Sequence, residues 1–124
     1  MSLPAPIEIR LRTRSRLLEV RFDDGACFSL PAEYLRVHSP SAEVQGHGVA
    51  AGLLISGKET VGIRAVEPVG HYAVRLMFDD GHDTGLYTWK YLHELGSEQE
   101  ARWRAYLQRL QNAGITRQAS PTEA

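Results

Sequence analysis

The chain has 124 residues, 43% of them apolar and 23% charged, with 14 Lys and Arg against 15 Asp and Glu. A chain of this length builds one core without needing a disulfide or a metal, and its near-balanced charge argues against a general nucleic-acid binder. One cysteine, Cys27, excludes an internal bridge, and with no leader pattern and no apolar run near the ~20 residues that span a bilayer, a cytoplasmic chain off the membrane is expected.

Ile7, Ile9 and Leu11 alternate with Glu8, Arg10 and Arg12, which is the repeat of a strand with one wet face. Leu18, Val20 and Phe22 alternate with Glu19 and Arg21; Asp23-Asp24-Gly25 then turns the chain, and Ala26 to Leu30 returns as a partner strand. Pro31 suits a first helical turn and leads into a short helix over Ala32 to Arg36, which Ser39-Pro40 must end. Ser39 to Gly57 has no sustained period and is rich in glycine, so it is read as a long loop. Val61 to Val66 and Tyr72 to Phe78 follow as strands divided by Pro68 and Gly70, and Asp79-Asp80-Gly81 turns into a short strand ending near Tyr87. Thr88 is placed to cap a helix with Tyr91, Leu92 and Leu95 on its apolar side, and Gly96 falls where a left-handed residue ends it. In the last helix Ser97 and Glu100 match a capping box, and Trp103, Tyr106, Leu107 and Leu110 form one stripe. Glu98 with Arg102 and Glu100 with Arg104 are four-apart ion pairs, and Gly114 follows the helix end.

The two hairpins repeat one another. Phe22-Asp23-Asp24-Gly25 recurs as Phe78-Asp79-Asp80-Gly81, Leu30 as Leu86 and, after one extra residue, Tyr34-Leu35 as Tyr91-Leu92. Asp-Gly is common in hairpin turns, but agreement that runs on through the helix points to duplication. The expected fold class is α+β, a mainly antiparallel sheet built from two strand-turn-strand-helix units plus a C-terminal helix. Residues 1–116 form the single domain and 117–124 a disordered tail.

The densest polar cluster, Asp79-Asp80-Gly81-His82-Asp83, accommodates a metal or a transferable proton, although a solvated turn accounts for all of it except His82. A second cluster, from Arg36 to Gly48, holds His38 and His47, which would make a three-imidazole site with His82 if the fold gathered them; a surface loop is the simpler reading. Cys27 inside a strand reads as a small buried apolar group, and Ser39 and Ser41 lack the elbow of a serine hydrolase. The arginines of the first strands read as a solvated face rather than a phosphate site.

The runs Phe28 to Arg36, Ser39 to Gly48 and Phe78 to Trp89 resemble the small bacterial DUF971 proteins, which in turn resemble the N-terminal domain of gamma-butyrobetaine hydroxylase. The resemblance covers roughly Ile7 to Leu110. In the hydroxylase that domain precedes the oxygenase barrel and holds zinc with three cysteines and one histidine. The resemblance puts His82 at the histidine position and Ser39, Ser41 and Val44 where the thiolates belong. Hydroxyls and an alkyl group cannot replace three soft anionic ligands, so no tight zinc is expected, and a weaker divalent-metal site on His82, His38 and His47 is the alternative. No oxygenase barrel and no iron-binding motif is present, which implies no hydroxylation by this chain alone. The same domain occurs joined to Mrp/ApbC-type iron–sulfur carrier ATPases, which implies an adaptor role by association. The expectation is therefore a non-catalytic accessory module without a resident cofactor, binding an iron–sulfur carrier ATPase or a metalloenzyme and not nucleic acid. Arg36, Glu43, His47, Asp80, His82 and Trp89 are its candidate partner-binding residues.

Overall fold

The computed structural model describes residues 4–40 and 54–117. Three strands and a helix come first: β1 (Pro6–Arg12), β2 (Leu17–Phe22), β3 (Cys27–Pro31) and α1 (Ala32–Val37). The series then repeats as β4 (Ile63–Val69), β5 (Ala73–Phe78), β6 (Leu86–Thr88) and α2 (Trp89–Ser97), and α3 (Gln99–Asn112) closes the domain. All pairing is antiparallel, in two three-stranded sheets of order β1-β2-β3 and β4-β5-β6. This is the α+β fold that the repeat implied, with one sheet per unit. Among the described residues no helix is long and apolar enough to cross a membrane.

The duplication extends to individual hydrogen bonds. In the first turn Phe22 N–H donates to the Ala26 carbonyl, Gly25 N–H to the Phe22 carbonyl and Asp23 N–H to the Ala5 carbonyl. In the second, Phe78 N–H donates to His82, Gly81 N–H to Phe78 and Asp79 N–H to Gly62. Gly25 and Gly81 sit at φ 89° and 93°, where a side chain would be strained, which is why both turns use glycine there. Each first strand also carries a register shift at the corresponding place, between Pro6 and Glu8 and between Ile63 and Ala65.

The units clasp each other through the repeated tyrosines. Tyr34 of α1 donates its hydroxyl to the Leu95 carbonyl of α2 at 2.7 Å, and Tyr91 of α2 donates to the His38 carbonyl just past α1 at 2.5 Å. Each acceptor lies four residues beyond the other tyrosine, so the contacts are related by a pseudo-twofold. The core lies between the sheets: Leu18, Val20, Phe22 and Leu30 from one meet Ile63, Val74, Leu76 and Phe78 from the other, with Leu35, Tyr87, Leu92 and Leu95 among them.

Several local expectations need correction. Gly96 lies inside α2, because the helix continues to Ser97; a Cβ there would overlap the Phe28 ring, so close packing explains the glycine. Ser97 does not cap α3. Its hydroxyl donates back to the His93 carbonyl, and Glu98 is the N-cap without a side-chain bond. Leu107 is 39% exposed and leaves the α3 stripe to Tyr106 and Leu110, with Trp103 half-buried. Cys27 is exposed on β3, an edge strand, rather than buried. Arg117, assigned to the tail, is held against Glu33, whereas residues 118–124 lie outside the described residues. The Thr88 cap, both α3 ion pairs and left-handed Gly114 agree with expectation. Arg10 and Arg12 are exposed and paired with Glu8 and Glu19, as a solvated face requires.

Candidate functional site

The β5–β6 turn folds against the C-terminal end of α1. Asp80 is fixed by its own turn, where Oδ1 accepts the His82 N–H, so its other oxygen points outward to a second element. Oδ2 accepts the Arg36 Nε at 2.9 Å and the Lys58 Nζ at 2.7 Å. The Arg36 side chain is only 11% exposed and the Asp80 side chain 20%. This pair is therefore sheltered, and the turn is not the freely solvated one its composition suggested. Arg36 also lies over the Phe78 ring, 6.0 Å from its centre, and its Nη1 is buried without a hydrogen-bond partner among the described residues.

Beside this lock Ser39 Oγ and His82 Nε2 share a hydrogen bond at 2.8 Å. Ser39 is fully buried, and Gly85 is what allows it to be: a Cβ at Gly85 would stand 2.6 Å from Ser39 Oγ and 3.2 Å from the Tyr87 ring. Close backbone approach, not turn geometry, therefore explains this glycine.

Electrostatics separates the two ionisable members. Burial alone would raise the Asp80 carboxyl, but the Lys58 ammonium, the His82 N–H and the Arg36 guanidinium overcome it and hold the pKa at about 2. His82 is shifted down, first by burial and then by the Arg36 charge, so the ring is neutral at pH 7. A buried serine beside a neutral imidazole resembles a nucleophile and its base. The remainder of such a device is missing among the described residues: Ser39 has no solvent exposure, and Asp80 spends its oxygens on the His82 backbone, Arg36 and Lys58 rather than on the imidazole ring.

Of the residues singled out in the sequence, Arg36, Ser39, Asp80 and His82 converge here. His38 does not share their partners. Its Nδ1 lies 2.9 Å from the Tyr34 carbonyl, its ring packs between Tyr34 and Tyr106, and burial lowers its pKa. Trp89 donates its indole N–H to the His71 carbonyl, at the far end of the hairpin from Asp80, roughly 20 Å away along the six residues of β5. Glu43 and His47, with Ser41 and Val44, lie outside the described residues. Among the described residues no three His, Cys, Asp or Glu side chains gather as a metal-ligand group. Lys58 was missed, because it sits in a stretch with no period and only the fold carries it to Asp80.

The chain is thus a duplicated α+β domain in which a sheltered polar knot joins the second hairpin to the first helix. Residues 9–93 match the model of the family described as gamma-butyrobetaine hydroxylase-like, N-terminal, and the chain belongs to that family. Two proteins with NMR solution structures are 48% and 50% identical to it. The first match covers 94% of this chain and 91% of the other with a TM-score of 0.80, and the second 95% and 88% with 0.81. A crystal structure of a DUF971-family protein of unknown function from Acidithiobacillus ferrooxidans is 45% identical, covering 75% of this chain and 93% of that one, with a TM-score of 0.64. No curated protein matches.

Proposed function

We propose that this domain is a non-catalytic accessory module of the cytoplasm that docks onto a protein partner, an iron–sulfur carrier ATPase or a metalloenzyme under maturation. One observation supports it best: Ser39 and His82, which the resemblance puts at a thiolate and the histidine position of the hydroxylase's zinc centre, hydrogen-bond each other directly. On this reading the scaffold of a metal corner is kept without its soft ligands, and the polar knot positions α1 against the second hairpin. The docking surface comprises that knot and the segment running on from Ser39, which contains Glu43 and His47. The competing reading, a weak divalent-metal site on His38, His47 and His82, gains nothing from His38, whose ring is committed to Tyr34 and Tyr106.

The test is calorimetry of the wild type and of His82→Ala and Arg36→Ala against a purified Mrp/ApbC-type carrier ATPase, with zinc, iron(II) and nickel titrated separately. Binding of the carrier, weakened by either substitution in a folded variant, is the expected result. No binding of the carrier by the wild type refutes the carrier as the partner, equal affinity of all three proteins refutes the knot as the docking surface, and a saturable metal response lost in His82→Ala replaces both with the metal reading.

A further inference from the structure

At the start of α1 lies a groove of about 800 Å³, bounded by the β1–β2 turn and the first half of α3. Its lining includes Glu33, whose side chain is only 8% exposed, and a carboxylate so buried stays charged only when a cation or hydrogen-bond donors satisfy it. That cation is Arg117. Its Nε donates to Glu33 Oε2 at 2.9 Å and its Nη2 to Oε1 at 2.6 Å, a two-toothed fork, while the guanidinium lies 5.3 Å from the centre of the Trp103 ring. Trp103 is itself braced by Tyr34 at 6.3 Å and Tyr106 at 5.2 Å between ring centres, so the aromatic wall is set in advance. The rest of the charged lining is Arg16, Glu59 and Glu100, the last paired with Arg104.

The ligand in this pocket is tied down on a short lead. Ile115 N–H bonds to the Leu110 carbonyl at 2.9 Å, leaving Thr116 as the single residue between that anchor and Arg117. The groove stays open with Arg117 in place, at a volume in the range of ligand sites, which exceeds what one guanidinium fills.

We propose that this groove is an arginine-recognition site for an extended protein segment, with Glu33 gripping the guanidinium, Trp103 stacking on it and the open remainder of the groove receiving the adjacent chain. Arg117 occupies it in cis as a tethered competitor, so a partner's arginine enters by displacing it. The site is separate from the Asp80 knot and does not depend on what that knot binds.

The test uses the full chain as wild type, Arg117→Ala and Glu33→Gln/Arg117→Ala, titrated with N-acetyl-arginine amide and, for comparison, N-acetyl-lysine amide. The readout is the indole N–H resonance of Trp103, with Trp89 as an internal reference. Arg117→Ala is expected to saturate with a dissociation constant on the order of millimolar. The wild type should bind roughly tenfold more weakly because its tethered arginine competes, and the lysine probe several-fold more weakly for want of the fork. Should Arg117→Ala lose its amide dispersion, Arg117→Lys, which keeps the charge but not the fork, takes its place. No saturable shift at Trp103 in a folded variant, or undiminished affinity in the Glu33→Gln double variant, overturns the proposal.

Discussion

Replacing Asp80 by Asn removes one charge from a nearly isosteric side chain and leaves Arg36 and Lys58 facing a neutral amide. The magnitude follows from titration. A carboxyl held at about 2 instead of 3.8 is stabilised by 1.8 pKa units, about 2.4 kcal/mol at neutral pH as a ceiling. Asp80 is partly open to solvent, and screening there reduces the expectation to about 1–2 kcal/mol. The sign is that of a depressed acid. The contribution is fully present above the unfolded value of 3.8 and is lost as pH falls through the folded value of about 2.

Urea unfolding of the wild type and Asp80→Asn at pH 7 and again near pH 2.5 measures this directly. The variant should be less stable at pH 7 by about 1–2 kcal/mol, and the gap should narrow by about 1 kcal/mol at the lower pH, where the wild-type carboxyl has itself largely lost the benefit of its charge. Carboxyl carbon shifts of Asp80 should titrate with a midpoint near 2 rather than 3.8. A gap independent of pH, or an ordinary midpoint, would show that Arg36 and Lys58 touch Asp80 without stabilising it, and the knot would lose its electrostatic basis.

Gly96→Ala should destabilise by about 1–2 kcal/mol in thermal melts, because overlap with the packed Phe28 ring outweighs the gain of up to about 1 kcal/mol that alanine brings to a helix; a more stable variant would refute the packing account. The Ser39→Cys/Ser41→Cys/Val44→Cys variant, with His82 retained, should copurify with one zinc per chain, and a metal-free product would show that these positions are not the emptied cage. Spectrophotometric titration should find Tyr34 and Tyr106 ionising near 12, held protonated first by burial, and alkaline unfolding should set in between about 10 and 12 as their protons are lost; five ordinary tyrosine titrations would contradict the buried placement.

Period-two alternation, Asp-Gly turns and the Phe-Asp-Asp-Gly repeat made both hairpins readable, since each of those signals has a local cause. What could not be read depends on partners distant in sequence. Gly96 is spaced like a helix end and Gly85 carries no signal at all, yet each is small because Phe28 or Ser39, more than 40 residues away, fills the space a Cβ would take. Ser97 matched a capping box by spacing, yet the His93 carbonyl one turn earlier claims its hydroxyl. Asp80 looked like a solvated turn residue, because nothing near it in sequence reveals that Arg36 and Lys58 will enclose it. The same blindness applied to Glu33 and Arg117, 84 residues apart.

The pseudo-twofold provides an internal control for deciding which polar contacts are scaffold and which are additions. Asp24 and Asp80 occupy equivalent turn positions, and each reaches across to the residue two beyond the repeated tyrosine of the other unit: Asp24 to His93 at 2.8 Å, Asp80 to Arg36 at 2.9 Å. An acidic turn docked on the opposite helix is therefore part of the duplicated frame and explains itself structurally. The units part company at the neighbouring positions. Where the first turn has Ala26 the second has His82, and where α2 has Gly96 the chain after α1 has Ser39. These two departures meet each other at 2.8 Å, in a contact that Ala26 and Gly96 cannot make. At the equivalent junction, with Ala26 and Gly96, the Phe28 ring fills the space beside the glycine instead. Removing either partner would leave a sheltered polar atom without its bond, so this pair stabilises the junction of the second hairpin with α1 in its own right.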